Sequence, residues 1–445
     1  MKHALWFPLV VLLSLGSAIA NPVLQHIASG ETVVAPEHLK ITLGQTAPLS
    51  GLQVSTMKAG VLAASYAYGM AQQEGAETTP LTTAHKIRVA SISKMVMAIG
   101  FMQLVEQEKL DLDADISDTL GWTLRNPRFP NTPITARQLL AHTSSLRDAD
   151  KYWLPAGEQL RSFFEATGAN YQDAAHFALQ PPGEYFNYAN INFGVLASLM
   201  ELASGERFDR YMKRHVLQPL GLNASYNACD IPDDERAAAF RKRGPEGWNP
   251  QGPWIAQVDA GAPVCFYGMT PVDEGAAEAF EAHYVLGSNG TLFSPQGGLR
   301  ASANDLLVIL QLIANGGELN GTRLLSESSV AELLAPEWSY DPITRNGNTT
   351  GEGEPGGPTE GLMTSYGLSV HRINLAEWGL GQGILIGHLG EAYGVLSHAL
   401  LDPATGDGIA TIVTGSADDP AKAPAGTSPL YRVEEDILRW WLEAR

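Results

Sequence analysis

Cysteine is nearly missing: Cys229 and Cys265 are the two in 445 residues. That excludes a disulfide-dense scaffold, and with no matching histidine cluster it leaves no reading as a zinc or other metal site. Basic charge is also short, with 29 Lys and Arg against 48 Asp and Glu for a formal net charge of -19. A chain of that balance does not seek nucleic acid or an anionic membrane surface. The acids do not cluster in long runs, so the charge speaks for solubility and names no substrate. Beyond residue 20 no apolar run is long enough to span a bilayer. A hydrophobic fraction of 44% and a charged fraction of 17% exclude large-scale disorder. The length allows a sizeable core, in one large unit or in two or three domains. The two cysteines keep two readings open, a disulfide closing positions 229 and 265, or a pair of buried thiols.

The N-terminus reads as an address. Lys2 and His3 precede an apolar run over residues 4–15, and Ala18-Ile19-Ala20 supplies the small residues a signal peptidase accepts. A signal peptide over 1–20, a mature chain from Asn21 and a periplasmic or secreted location are expected. No cysteine follows the cleavage point to carry a lipid anchor.

Residues 51–68 read as two strands meeting at a turn near Lys58-Ala59-Gly60, and residues 69–83 as a polar loop. An apolar helix follows Ser91. Thr135 is placed to cap a short helix ending near His142, and helical periodicity continues over 156–164 and 173–179. Apolar helices are expected after Asn190, over 208–216 and after the cap Ser302, the last closed by Gly316-Gly317. Residues 224–294 read as a long insertion and the glycine-rich stretch 346–361 as a mobile surface loop. Strands return over 366–373, 394–402 and 408–414, with an amphipathic helix over 431–444. The fold class is therefore α/β in the α+β sense: one antiparallel sheet built from both chain ends, a helical middle and a cleft between. The sheet lobe takes about 40–95 and 296–445, and the helical lobe about 96–295, within one catalytic unit over 21–445.

Chemistry concentrates at Ser91-Ile92-Ser93-Lys94. Residues three apart share a helix face, so the Lys94 amine lies one turn from the Ser91 hydroxyl and can help to take its proton. The helix N-terminus favours the negative charge that develops when Ser91 attacks a carbonyl. A Ser-x-x-Lys tetrapeptide alone also occurs by chance; its company decides. Tyr188-Ala189-Asn190 and His388-Leu389-Gly390 follow in order. By themselves these are as readily loop residues and a structural histidine.

Together, with residues 134–146 ahead of the Tyr motif and 297–317 ahead of the last strands, the three motifs resemble the serine hydrolases of the β-lactamase and penicillin-binding protein superfamily. The resemblance spans roughly 50–445 and is nearest the class C β-lactamase and D-alanyl-D-alanine carboxypeptidase branch. It implies a β-lactamase/transpeptidase-like fold and an acyl-Ser91 intermediate. Lys94 and Tyr188 would share proton traffic, with a tyrosinate held by the nearby ammonium as base. Asn190, His388, Gly390 and Glu391 would line the substrate site, the N-H groups of Ser91 and Glu391 forming the oxyanion hole. His142 and Thr143 would fix a loop. No cofactor is implied.

The third motif departs from the Lys-Thr-Gly usual in that branch. His388 can be neutral at pH 7, Leu389 donates no hydrogen bond and Glu391 adds negative charge, so recognition of an anionic carboxylate is weakened. The expectation is a hydrolase of esters or amides of the esterase, amidase or D-amino-acid peptidase type, acting on a small-molecule or cell-envelope substrate. A β-lactamase or D-alanyl-D-alanine carboxypeptidase is the second reading, and a non-catalytic cell-wall binding or scaffold protein the third. Oligomeric state and natural substrate are not legible.

Overall fold

The computed structural model describes residues 48–244, 247–261, 263, 265, 280–353, 357, 359–417 and 427–445. The expected signal peptide lies outside them. β1 (Leu49–Lys58) turns back at Ala59-Gly60 into β2 (Val61–Glu74), and β3 (Glu77–Pro80) follows. β4 (Ile87–Arg88) delivers the chain to α1 (Ile92–Glu106). α2 (Ile116–Leu120), α3 (Ala136–Leu140), α4 (Ile191–Ser204) and α5 (Phe208–Met212) form the middle. β5 (Ala239–Gly244), β6 (Gly247–Trp248) and β7 (Trp254–Val258) make a small separate sheet inside the expected insertion. β8 (Arg300–Ala301) pairs with β4, and α6 (Ala303–Ala314) follows. After β9 (Glu318–Leu319), β10 (Thr322–Arg323) and α7 (Glu327–Leu334), the chain enters β11 (Trp338–Ser339), β12 (Ser365–Tyr366) and β13 (His371–Asn374). It ends through β14 (Ile384–Ala392), β15 (Val395–Asp402), β16 (Asp407–Ser416) and α8 (Arg432–Ala444).

Among the described residues the main sheet has nine strands in the order β11-β12-β13-β14-β15-β16-β1-β2-β3, and all its pairings are antiparallel. The two ends of the chain meet where β1 pairs with β16, from Leu49 opposite Ser416 to Met57 opposite Gly408. Side-chain alternation divides β14 between two cores. Ile386 packs in the cluster that holds α1, whereas Leu385 and Leu389 pack with Ile437 and Trp441 of α8. Residues 92–104 of α1 are all buried, so the helix runs through the interior rather than along a surface. Each large apolar side chain so enclosed contributes about 1.5–3 kcal/mol. The caps foreseen at Thr135 and Ser302 are present, each as a reciprocal capping box with the residue three positions on, Gln138 and Asp305.

Five stretches differ from the sequence reading. Residues 69–83 hold the end of β2 and β3, a ladder whose residues from Gln73 to Pro80 are exposed and carry no burial signal. The stretches 156–164 and 173–179 contain only short 3-10 turns, Leu160–Phe163 and Gln172–Ala174; in the second, Gln172, Asp173 and Ala174 all have positive φ, which a right-handed α-helix does not tolerate. β14 was not foreseen as a strand, since Gly383, Gly387 and Gly390 interrupt its apolar pattern. Residues 346–348 of the glycine-rich stretch are bonded to Phe186 in both directions, through Phe186 N-H to Asn346 O at 3.0 Å and Asn348 N-H to Phe186 O at 2.9 Å.

Candidate active site

Ser91 stands at the N-terminus of α1, and its hydroxyl is turned to Lys94 Nζ at 2.9 Å. The preceding residue, Ala90, has a positive φ of 48°. Such backbone in a residue with a Cβ costs of order 1 kcal/mol or more and persists where its surroundings force it. Here Val89 N-H donates to Leu299 O at 2.9 Å, and Ser93 Oγ donates to Ala90 O at 2.6 Å while accepting from Leu299 N-H at 3.0 Å. On the opposite side β14 lies against the same turn. A Cβ on Gly390 would fall 2.4 Å from Ser397 Oγ and 2.5 Å from Val89 O. Only glycine lets the strand approach the Ser91 turn this closely.

Lys94 is fully buried, and its amine donates to Ser91 Oγ at 2.9 Å, Asn190 Oδ1 at 2.8 Å and Gln296 O at 2.9 Å. Three donors meet three acceptors. Burial nevertheless lowers its pKa to about 8, against the opposing pull of Glu352 and Asp148. Tyr188 is buried beside it, and Lys94 Nζ lies over the face of the phenol ring, 4.7 Å from its centre.

 Burial, then Tyr366 and Glu352, push the Tyr188 pKa well above its ordinary value, and a hydrogen bond with Ser91 only partly offsets them, which disfavours in the resting site the tyrosinate that the resemblance implies. Tyr188 therefore rests protonated.

The ring of Tyr188 stacks on His142 at 4.3 Å between centres. His142 Nδ1 accepts from Ala189 N-H at 3.0 Å, and its carbonyl accepts from Asn187 N-H at 2.8 Å, so this residue holds the Tyr188 loop by both ring and backbone. Burial, Lys94 and His388 keep its imidazole neutral. Thr143 pairs through its carbonyl with Gly183 N-H at 2.8 Å.

His388 lies on β14 beside Tyr188, the rings 6.3 Å apart, and is buried. Nε2 is 2.8 Å from Tyr366 Oη, and Nδ1 faces the Leu389 carbonyl. The Nδ1-H tautomer satisfies both contacts, with the Tyr366 hydroxyl donating to Nε2. Burial and then Lys94 hold the pKa well below the usual histidine value. A neutral imidazole therefore stands where the branch usually has an ammonium. Leu389 belongs to the core under α8. Glu391 is exposed at the rim and accepts from Tyr431 Oη at 2.9 Å. Crowding by protein atoms, then Glu434, raise its pKa to about 7.

Ser91, Lys94, Tyr188, Asn190, His388 and Gly390 thus converge, whereas the Glu391 side chain turns toward α8. Cys229 and Cys265 are joined as a disulfide, with Cα atoms 5.1 Å apart. Three contributors escaped the sequence reading. Gln296 supplies a backbone carbonyl, for which side-chain identity gives no signal. Asp148 and Glu352 both accept from Asn190 Nδ2, at 2.9 and 2.8 Å. Asp148 lies just past residues 134–146, and that proximity is its one signal in the sequence; Glu352 sits in a glycine-rich stretch with nothing to mark it.

An antiparallel sheet from both chain ends, with a Ser-Lys pair at the start of a buried helix, defines a serine hydrolase of the β-lactamase and penicillin-binding protein superfamily. The sequence profile of the Beta-lactamase family matches residues 42–429, and the chain belongs to that family. Penicillin-binding protein 4 of Amycolatopsis lactamdurans is 28% identical over 165 residues, 36% of this chain and 40% of that protein. The putative penicillin-binding protein PbpX of Bacillus subtilis is 26% identical over 221 residues, 49% of each. The chain thus spans about half or less of the length of these curated relatives. Among solved structures, the octameric penicillin-binding protein homologue from Pyrococcus abyssi superposes with a TM-score of 0.59 at 22% identity, covering 84% of this chain and 71% of that one. D-amino acid amidase from Ochrobactrum anthropi SV3, complexed with D-phenylalanine, gives 0.57 at 20% identity, covering 89% and 94%. At such identities the likeness is one of fold.

Proposed function

We propose that the protein is an exported serine hydrolase that cleaves an ester or amide through an acyl-Ser91 intermediate, of the esterase, amidase or D-amino-acid peptidase type. The observation that carries this reading is the saturation of Lys94. When the ammonium loses one proton, its two remaining N-H groups keep Asn190 Oδ1 and Gln296 O, and the freed lone pair faces Ser91 Oγ. The amine is then a base aimed at the nucleophile.

In the proposed reaction Lys94 takes the Ser91 proton as Oγ bonds to the carbonyl carbon. The N-H groups of Ser91 and Glu391 hold the oxyanion, each donor contributing about 3 kcal/mol. Tyr188 passes its proton to the leaving alcohol or amine as the C-O or C-N bond breaks, and recovers one from Lys94. Water then enters, and the same groups run the steps in reverse to release the acid and free Ser91. Preference for esters and amides over β-lactams is supported by the neutral, enclosed His388 and by Leu389, neither of which offers a charged donor to a substrate carboxylate.

The test is covalent labelling with a fluorophosphonate, with Ser91→Ala as control, followed by hydrolysis of a short-chain nitrophenyl ester compared with nitrocefin. Labelling lost in Ser91→Ala and faster ester turnover are expected. A folded wild-type protein that is neither labelled nor active favours the scaffold reading, and nitrocefin turnover exceeding ester turnover favours the β-lactamase reading.

A further inference from the structure

Asn190 can serve Lys94 only in one of two orientations. An amide presents oxygen on one side and NH2 on the other, and its two ends are nearly equal in size. Turned end for end, it would set its NH2 against the Lys94 amine. What lies on its far side therefore decides whether Lys94 has an acceptor. That neighbour is Asp148. Its Oδ2 accepts from Asn190 Nδ2 and from Asn190 N-H, both at 2.9 Å, and its Oδ1 accepts from Ile191 N-H at 2.9 Å. The carboxylate is seated on the first N-H groups of α4, where both the unpaired donors and the helix dipole favour a negative charge.

We propose that Asp148 is a positioning residue of this site: anchored on the start of α4, its carboxylate fixes the Asn190 amide so that Oδ1 faces Lys94. The inference rests on the hydrolase reading above and adds a residue to it. Reversing the amide would lose the bonds to both Lys94 and Asp148 and create two like-pole contacts, donor against donor and acceptor against acceptor. Glu352 reaches the same Nδ2 at 2.8 Å, but from an exposed position without seats on a helix end, so it cannot fix the amide in the same way.

The charge matters as well as the geometry. The groups facing Asp148 are Lys94 from α1, Glu352 from the glycine-rich stretch, and Tyr152 and Tyr188 from neighbouring loops. Burial raises the Asp148 pKa to about 6, so it is ionised above neutrality and favours the Lys94 ammonium. Removing that charge eases proton loss from Lys94, while releasing the amide spoils its aim.

The experiment is the fluorophosphonate labelling rate of full-length wild type and Asp148→Asn as a function of pH. In the variant the rise of rate with pH is expected at a position lower by roughly half a pH unit or more. The plateau above it should fall by at least ~10-fold, because Lys94 is no longer held. A purely structural role would lower the melting temperature and leave the position of the rise unmoved. Superimposable profiles for a labelled wild type and Asp148→Asn overturn the inference alone; a wild type unlabelled at every pH overturns the hydrolase reading and the inference with it. If Asp148→Asn does not fold, Asp148→Glu decides. A rise at the wild-type position supports the role of the charge, and a rise displaced to lower pH overturns it.

Discussion

The state of Lys94 yields the most direct prediction. With a pKa of about 8, the neutral amine makes up about one part in eleven at pH 7 and about ten parts in eleven at pH 9. If that amine is the base for Ser91, the labelling rate should rise about tenfold between those values and level off beyond. The sign follows from burial: the enclosed site disfavours the ammonium, so activity is gained as pH rises through 8, well below the ordinary lysine range. Neighbouring groups would give other profiles. His142 and His388 are held neutral far below this range, Asp148 titrates near 6 and Glu391 near 7. The measurement is the second-order rate of fluorophosphonate labelling, corrected for reagent hydrolysis at each pH, with the fold checked by circular dichroism. A rate that is flat or falling between pH 7 and 9, or one complete by pH 7, would refute the assignment of Lys94 as base.

Tyr188→Phe keeps the ring on His142 but removes the hydroxyl, and ester turnover should drop by at least ~100-fold; turnover within a few-fold of wild type removes Tyr188 from the reaction. Gly390→Ala places a methyl group 2.4 Å from Ser397 Oγ and 2.5 Å from Val89 O, so the strand or the Ser91 turn must shift. A stability loss of about 1–3 kcal/mol is expected in urea unfolding, together with slower labelling. An unchanged midpoint and labelling rate would show that the strand does not sit as close as described. Reduction of the Cys229–Cys265 bond, which closes a sequence separation of 36, should lower stability by about 3–4 kcal/mol on the loop-entropy account. Two titratable thiols in untreated protein, with no change on adding reductant, would contradict it.

Local rules carried far along this chain. The Ser91 turn and its apolar helix, the caps at Thr135 and Ser302, the hairpin at Ala59-Gly60 and the amphipathic α8 are set by neighbours a few residues away, and each was legible as such. Elements without a local apolar signal were not: the exposed β2–β3 ladder, the glycine-broken β14 and the loops of 156–179 take their form from partners distant in sequence.

The same division holds at the site. Spacing alone put an amine one turn from a hydroxyl, because helical geometry is fixed by bonds between near neighbours. Charge states were a different matter. Whether Tyr188 is a phenol, whether His388 is neutral, and which way the Asn190 amide points depend on burial and on groups brought from Asp148, Gln296, Glu352 and Tyr366. Desolvation and hydrogen bonding act through space, and only the folded chain decides which residues share that space.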